Sequence, residues 1–311
     1  MELKSRCRVN VAAKINIGLL VGAPRADGYH PVLGIMHPIS LFDSIEIAVT
    51  EENSDIIVHG AFDCPPEQTT VYRAAALFAK AADIHAGLRI HVDKQIPAKA
   101  GLGGGSADAA GVLAALNHAS GRPLDEGTLA GLGRSIGADV PFFLKGGAAI
   151  AAGTGEILQP VPPRTDFGIL LIYPGFGVST QWAYGSLDRY RGLGGTTEDL
   201  RTDAWPSSDA LRAMFAGPVS GWRFQNSFSP MLCANYPIYA ALRDQMERSG
   251  AEYVSITGSG SCVYGIFASQ EEAESAKKRF SAEAYPKISE KPSQSMALFV
   301  KRPLERTIYL E

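Results

Sequence analysis

Residues 97–106 read Pro97-Ala98-Lys99-Ala100-Gly101-Leu102-Gly103-Gly104-Gly105-Ser106. They follow a strand-like run, Leu88–Val92, and precede an alanine- and leucine-rich run with helical composition, Ala107–Asn117. The glycines allow positive φ angles and leave no Cβ atom between the backbone and a ligand. Successive N–H groups can then turn inward around an anion, beside the positive end of the following helix. A plain flexible loop is the alternative, but the flanking strand and helix favour a phosphate-binding loop.

The two commoner kinds of phosphate loop do not fit this stretch. A P-loop ends in Gly-Lys-Ser/Thr, whereas Gly105 precedes Ser106 here. The dinucleotide-binding pattern needs Gly or Ala three residues after its second glycine, and counting from Gly103 that residue is Ser106. Ser106 stands at the start of the predicted helix, where it could cap the helix or turn its hydroxyl to phosphate or Mg²⁺.

On both sides of this loop, strands and helices are interspersed without strict βαβ alternation. This pattern predicts an α+β fold in two domains. The clearest break in composition is Gln159–Pro163, where prolines favour extended chain between domains. We therefore expect one domain over residues 1–162 and a second over residues 163–311. Within the second, Arg189–Gly221 is expected to form loops around a short helix.

The first predicted strand, Arg8–Val21, alternates apolar and polar residues, as a strand with two different faces does. Lys14 and Asn16 are expected on the face opposite Ile15. After the strand, Asp27-Gly28 is a turn signal of the kind that closes antiparallel hairpins.

Composition and charge narrow the class of protein. The chain has 311 residues, 46% hydrophobic and 20% charged, with a net charge of −3. These values are typical of a globular protein and give no reason to expect nucleic acid or an anionic membrane as a partner. No export signal or membrane-length apolar run is visible. The four cysteines lack metal-ligand spacing. We expect a cytoplasmic protein with reduced thiols, and we assign no residue as a metal ligand from the sequence.

The glycine loop resembles the phosphate loop of the GHMP kinase superfamily, which includes galactokinase, homoserine kinase and mevalonate kinase. Further segments carry the resemblance: Ala13-Lys14-Ile15-Asn16, Asp27-Gly28-Tyr29-His30, Gly137–Phe143, Gly175–Thr180 and Gly258–Val263. Each segment is weak alone, but together and in this order they are specific. The resemblance implies an N-terminal ribosomal-protein-S5-like domain and a C-terminal ferredoxin-like domain, with ATP and an alcohol acceptor in the cleft between them.

For the nucleotide, the resemblance implies ATP with Mg²⁺, bound by the backbone-rich loop residues Pro97, Gly101, Leu102, Gly103, Gly104, Gly105 and Ser106. One departure lies in the loop itself. The family usually has two serines after the glycines, whereas Ser106 is followed here by Ala107.

For catalysis, the resemblance implies a pair, Lys14 and Asp139. Phosphoryl transfer to an alcohol needs alignment, cations against the developing charge, and a carboxylate that takes or orients the hydroxyl proton. Asp139 fits the last role; a helix cap or a surface turn is the alternative. Because Pro141 directly follows Val140, Val140 is expected to stay out of the α region. Lys14 is expected beside Asp139, with a solvated surface lysine as the alternative, and Asn16 is a candidate substrate contact.

For the acceptor, the resemblance implies a cytosine pocket. Tyr29 and Tyr184 would stack on the two faces of the base, and His30 would bind its polar edge. Thr180 is a further polar contact. A hairpin aromatic packed on the sheet is the alternative for Tyr29. Trp182 competes with Tyr184 if this segment is extended, because the two would then point to the same side.

The small-residue segment Gly258–Ser261 has two interpretations. By resemblance, it lets the second domain approach the substrate or the loop; a simple tight hairpin is the alternative.

The function that this resemblance implies is ATP-dependent phosphorylation of the 2-hydroxyl of 4-diphosphocytidyl-2-C-methyl-D-erythritol, in non-mevalonate isoprenoid biosynthesis. The partner is this small cytidyl diphosphate alcohol, and the protein is expected to be a monomer or homodimer. Two alternatives remain open. One is another GHMP kinase, for homoserine or mevalonate; the other is a non-catalytic nucleotide-binding relative.

Overall fold

The computed structural model describes residues 6–50, 54–283 and 296–310, with strands β1–β11 and helices α1–α9 numbered along the chain. Seven strands form the first sheet: β1 (Arg6–Val21), β2 (Val32–Thr50), β3 (Ile56–Gly60), β4 (Gly87–Asp93), β5 (Ala148–Ala152), β6 (Ile157–Val161) and β11 (Ile308–Leu310). Their order is β11-β1-β2-β4-β3, with β5 paired to β2 and β6 to β5. Only β3 and β4 pair in parallel among the described strands.

Four helices pack on this sheet and enclose the first core: α1 (Thr70–Ala81), α2 (Gly104–Ala119), α3 (Glu126–Ile136) and α4 (Val140–Lys145). Helix α2 is buried along most of its length, which explains its run of alanines. Small side chains let the helix lie close to β1: a Cβ atom on Gly111 would overlap the Val11 side chain.

The second sheet has four strands in the order β10-β7-β9-β8, all antiparallel: β7 (Gly168–Tyr173), β8 (Tyr253–Ile256), β9 (Val263–Phe267) and β10 (Ala297–Lys301). The remaining helices are α5 (Thr180–Gly192), α6 (Ser208–Ala216), α7 (Phe228–Asn235), α8 (Ile238–Arg248) and α9 (Gln270–Glu283). One face of this sheet packs with the first sheet and α6 in a second core, and the other face packs with α5, α7, α8 and α9 in a third. The predicted α+β class in two parts is confirmed.

Strand β1 connects the cores. Val9 and Val11 pack in the first core, whereas Ile15 and Ile17 pack in the second, against the second sheet. The β1–β2 register shifts after Ala12, between these two sets. The predicted hairpin is confirmed, since β1 and β2 pair antiparallel across the turn at Asp27 and Gly28.

The predicted connection between domains at Gln159–Pro163 begins too early in the sequence. Gln159 and Pro160 lie inside β6, which among the described strands pairs only with β5. An edge strand tolerates proline because one side of it donates no ladder hydrogen bond. The connection to the second sheet follows Val161. The boundary at residues 162 and 163 stays a prediction, but β11 returns to pair with β1, so residues 163–311 do not all belong to the second sheet.

The segment Arg189–Gly221 contains the short helix α6, as predicted, among turns and short 3₁₀ segments. Its first residues differ from the prediction, because α5 continues through Gly192.

Candidate active site

The glycine loop leads directly into α2, which begins at Gly104 rather than at Ala107 as predicted. Gly103 precedes the helix at φ 73°, and no side chain caps this end. Ser106 lies in the first turn, so the suggestion that it caps the helix is wrong. The first N–H groups of a helix have no partner inside it. At this end, uncapped backbone donors and the positive end of the helix dipole can bind an anion.

The glycines are required by close packing as well as by backbone angle. Gly101 has φ 76°, and a Cβ atom there would lie 2.9 Å from the Gly260 carbonyl oxygen. A Cβ atom on Gly103 would lie 2.8 Å from the Phe143 ring and 3.3 Å from Lys14 Cε. The loop backbone therefore reaches positions that no larger residue allows.

Both sheets hold the loop in place. The Lys14 N–H donates to the Leu102 carbonyl at 3.0 Å, from strand β1. The Thr257 hydroxyl donates to the Gly101 carbonyl at 3.1 Å and accepts from the Asn16 N–H at 3.0 Å. Thr257 directly follows β8, so the second sheet fixes the loop and the first strand together.

The Gly258–Ser261 segment satisfies both interpretations offered for it. It connects β8 and β9 as a hairpin. It also lies against the glycine loop, because the Cys262 N–H donates to the Ala100 carbonyl at 3.1 Å. A Cβ atom on Gly258 would lie 3.1 Å from the Gly101 carbonyl oxygen.

Lys14 and Asp139 lie together beside the loop. Lys14 Nζ is 3.7 Å from Asp139 Oδ2 and donates a hydrogen bond to Asn16 Oδ1. The Lys14 side chain is only 5% exposed, so the solvated-surface alternative is wrong. Burial lowers the pKa of Lys14, and the Asp139 carboxylate opposes that shift. The pair combines a positive charge with a carboxylate that is 30% exposed and can reach a ligand.

Asp139 occupies the position before α4, but its side chain makes no capping hydrogen bond. The carboxylate is therefore available to the site. The expectation for Val140 is wrong, because α4 begins there. Proline in the first turn removes no helical hydrogen bond, so Pro141 is accepted at the second position. Phe142 and Phe143 are buried, and the Phe143 ring lies against Gly103, as the Lys14 side chain does.

The predicted acceptor residues are only partly brought together. The rings of His30 and Tyr184 are 5.0 Å apart, while Tyr29 is 65% exposed. Burial, and then the Asp139 charge, raises the pKa of Tyr184 to about 12, which links this pocket to the catalytic pair. Because α5 is helical, Trp182 does not share the Tyr184 side; it packs near Tyr236 instead, at 5.9 Å.

The other predicted contacts are placed as follows. Thr180 is exposed at the start of α5, and Ser179 before it accepts the capping hydrogen bond from the Trp182 N–H. Pro97 is half-buried ahead of the glycines. Leu102 has its side chain in the second core, so any contact with ATP comes from its backbone.

Comparison with known proteins identifies the family. The GHMP kinases N terminal domain matches residues 69–147, and the GHMP kinases C terminal matches residues 213–287. The 4-diphosphocytidyl-2-C-methyl-D-erythritol kinase of Treponema pallidum (strain Nichols) is 38% identical over 266 residues, which is 86% of this chain and 91% of that protein. The chain belongs to this kinase family.

Solved structures agree with this family membership. A crystal structure of 4-(cytidine 5'-diphospho)-2C-methyl-D-erythritol kinase matches with a TM-score of 0.74 and 30% identity, covering 95% of this chain and 99% of that one. Homoserine kinase from Cytophaga hutchinsonii matches with a TM-score of 0.69 but 16% identity, covering 100% and 99%. The second match shows a shared fold alone. No helix in the described residues is long and apolar enough to cross a membrane.

Sequence reasoning missed a buried charge cluster beneath α2. Lys94 donates to Asp108 Oδ2 at 2.6 Å and also to Asp43, whose other oxygen accepts from the Gln95 N–H at 2.6 Å. Burial raises the pKa of Asp108 to about 7, against the opposing charge of Lys94. A Cβ atom on Gly104 would lie 3.5 Å from Lys94 Nζ, so the cluster borders the loop. The sequence signal for this cluster was Asp108, a carboxylate inside an alanine-rich helix.

Sequence reasoning also missed Asp188 and Thr257. Asp188 lies one helical turn after Tyr184, and its Oδ1 is 3.0 Å from His30 Nε2. If the segment is interpreted as a helix, the four-residue spacing puts Asp188 on the same face as Tyr184. Thr257 gave no local signal, because its partners are distant in the sequence.

Proposed function

We propose that this kinase transfers the γ-phosphoryl group of ATP to the 2-hydroxyl of 4-diphosphocytidyl-2-C-methyl-D-erythritol, giving the 2-phosphate and ADP. The observation that carries the proposal is the buried Lys14 beside Asp139, at 3.7 Å, against the glycine loop. The name of the Treponema pallidum relative supports the choice of substrate.

The residues divide the reaction as follows. The uncapped start of α2 binds the ATP phosphates through backbone N–H groups. The proposed ATP site consists of the loop residues Pro97, Gly101, Leu102, Gly103, Gly104, Gly105 and Ser106. Asp139 accepts a hydrogen bond from the acceptor hydroxyl and takes its proton or orients it. Lys14 lies 3.7 Å from the Asp139 carboxylate and stabilises negative charge at the acceptor oxygen. Asn16 accepts from Lys14 and fixes the ammonium position.

Magnesium fits the oxygen donors beside the loop. Ser106 would hold it through its hydroxyl, in the first turn of α2 next to the proposed phosphate site. Mg²⁺ prefers oxygen ligands, which the ATP phosphates would also supply. When bound, the ion neutralises charge on the β- and γ-phosphates.

Tyr29, His30, Thr180 and Tyr184 form the proposed cytidyl pocket. His30 and Tyr184 already lie in contact, and the exposed Tyr29 ring is free to close on the second face of a base. A kinase for homoserine or mevalonate needs no such pocket, because those alcohols carry no base. A non-catalytic relative needs no Lys14–Asp139 pair.

A coupled ADP-release assay tests the proposal across a panel of alcohols: the cytidyl diphosphate substrate, mevalonate and homoserine. We expect turnover of the cytidyl substrate and loss of turnover in Asp139→Asn. Turnover of mevalonate or homoserine in its place would overturn the substrate. ADP release that is unchanged in Asp139→Asn would overturn the role of the pair.

A further inference from the structure

Asp188 lies at the back of the proposed acceptor pocket, where it holds His30. Its Oδ1 is 3.0 Å from His30 Nε2, and the His30 side chain is 6% exposed. Tyr184 and Asp188 are four residues apart on α5, so they share a helix face. One helix therefore places both the ring that packs against His30 and the carboxylate that binds it.

This contact determines which imidazole nitrogen carries the proton. An ionised carboxylate only accepts hydrogen bonds, so His30 Nε2 is the donor. In the neutral ring, Nδ1 then has a lone pair and can only accept. Among the described residues, no second hydrogen-bond partner of this ring is present. The His30 ring therefore offers an acceptor to a ligand.

We propose that Asp188 is a positioning residue that sets base specificity: it fixes the His30 tautomer whose Nδ1 accepts the 4-amino group of cytosine. This inference rests on the proposed function. Cytosine carries an amino donor at position 4, where uracil carries a carbonyl acceptor. A uridyl substrate would place that carbonyl against the Nδ1 lone pair and leave both acceptors without a proton. The pocket therefore rejects uracil without any repulsive side chain.

The first test compares kcat/KM for the cytidyl substrate and its uridyl analogue in the full-length protein. In Asp188→Asn, the side-chain amide can donate to Nε2 and free Nδ1 to carry the proton. We expect the ratio of kcat/KM for the cytidyl substrate to kcat/KM for the uridyl analogue to fall by at least about tenfold. This is the effect expected when one buried hydrogen bond is lost. The KM for ATP should not change. Asp188→Glu keeps a carboxylate and should retain most of the ratio.

Asp203→Asn is the matched control, because it makes the same change at an exposed aspartate paired with Arg201. Its ratio should equal that of the unmodified protein. An unchanged ratio in an active Asp188→Asn protein would overturn this inference and leave the proposed function standing. If neither nucleotide substrate is turned over by the unmodified protein, the proposed function fails, and the specificity role fails with it.

A second test needs no turnover. Nitrogen-15 NMR of the imidazoles distinguishes the two tautomers, and His30→Gln identifies the signal of His30. At about pH 8.5, we expect the proton on Nε2 in the unmodified protein and a shift toward Nδ1 in Asp188→Asn. A proton on Nδ1 in the unmodified protein would overturn the inference, whatever the kinetic result.

Discussion

At the scale of single residues, Lys14 and Asp139 act on each other. Lys14 is buried, and Asp139 supplies the nearby negative charge that offsets its desolvation. Removal of Asp139 takes away the charge that offsets the burial of Lys14, and removal of Lys14 takes away the ion-pair partner of Asp139. Their kinetic effects should therefore not be independent.

The first prediction follows from this coupling. Asp139→Asn should lower kcat by roughly two to four decades, as for a lost positioned base and its charge. Adding Lys14→Met to that variant should cost much less than Lys14→Met does alone. Steady-state kinetics of the double-mutant cycle measures this, with the exposed Lys80→Met as control. Losses that simply multiply would mean that the two residues act independently.

A second prediction concerns Tyr29, which is exposed and has a base to stack on only when acceptor binds. Base–aromatic stacking is worth about 1–3 kcal/mol in single-strand binders. Tyr29→Ala should therefore raise the KM for the cytidyl substrate roughly ten- to a hundredfold, with kcat and the KM for ATP little changed. Tyr29→Phe keeps the ring and should behave like the unmodified protein. A rise in the KM for ATP alone would place Tyr29 on the nucleotide side.

A third prediction concerns the buried Asp108. Its pKa is raised from 3.8 to about 7, so the native state holds a proton that the unfolded state has lost between these values. The stability that this proton contributes is complete below about pH 4 and is lost as the pH rises through about 7. Because asparagine does not ionise, Asp108→Asn does not lose this stability as the pH rises. The melting temperature of Asp108→Asn should exceed that of the unmodified protein by more at about pH 8 than at about pH 5.

The control for Asp108→Asn is Asp209→Asn, at an exposed carboxylate near the start of α6. It should show no such trend. An advantage of Asp108→Asn that is constant across this pH range would mean that Asp108 is ionised in the native state throughout.

At the scale of elements, the proposed nucleotide site is the start of α2, and Gly104 is the first residue of the helix. A Cβ atom there would already lie 3.0 Å from Ile96 Cγ2, so a branched side chain must displace the turn. ATP with Mg²⁺ should raise the melting temperature of the unmodified protein by mass action, and Gly104→Val should abolish that rise.

Thermal melts with and without ATP measure this fourth prediction. Gly127→Val is the matched control, since it makes the same change in the first turn of α3, where a Cβ atom meets only Asp125 Oδ1 at 3.5 Å. A folded Gly104→Val protein with an intact ATP response would remove the loop from the nucleotide site.

At the scale of the whole molecule, the residues just before β11 brace α4. The buried Thr307 hydroxyl, just before β11, donates to the Phe143 carbonyl of α4 at 2.6 Å, and its own carbonyl accepts from the Ala12 N–H at 2.8 Å. The last residues therefore connect the helix that follows Asp139 with the first strand that carries Lys14.

The fifth prediction tests this brace. Thr307→Ala leaves the buried Phe143 carbonyl without its side-chain donor and should lower the free energy of unfolding by about 1–3 kcal/mol. Thr165→Ala, at an exposed position, should change it little. Denaturant unfolding of both variants makes the comparison. Equal stability of the two variants would show that the contact contributes nothing to folding.

The sequence by itself determined the family, the α+β class and the glycine loop, because each depends on local chemistry. Glycines beside a helix start define an anion site without help from the rest of the chain. Alternation along β1 put Lys14 and Asn16 on one face, and Asp27 and Gly28 predicted the hairpin turn. These are properties of spacing, which the chain carries in any context.

Local rules failed where a residue's role depends on what packs against it. The steric rule for a residue before proline kept Val140 out of a helix, but the first turn of α4 tolerates Pro141 at no cost in hydrogen bonds. The prolines predicted that Pro160 lies in a linker between domains, whereas it lies in the edge strand β6.

Tertiary structure alone decided how the site is assembled. Burial of Lys14 needs the glycine loop and α4 to cover it, and neither lies near it in the sequence. Asp188 meets His30 across 158 positions, and Thr257 meets Asn16 across 241. Such contacts form only when distant segments of the chain pack together. Spacing along the chain gives the chemical groups, whereas their distances, burial and partners come from packing.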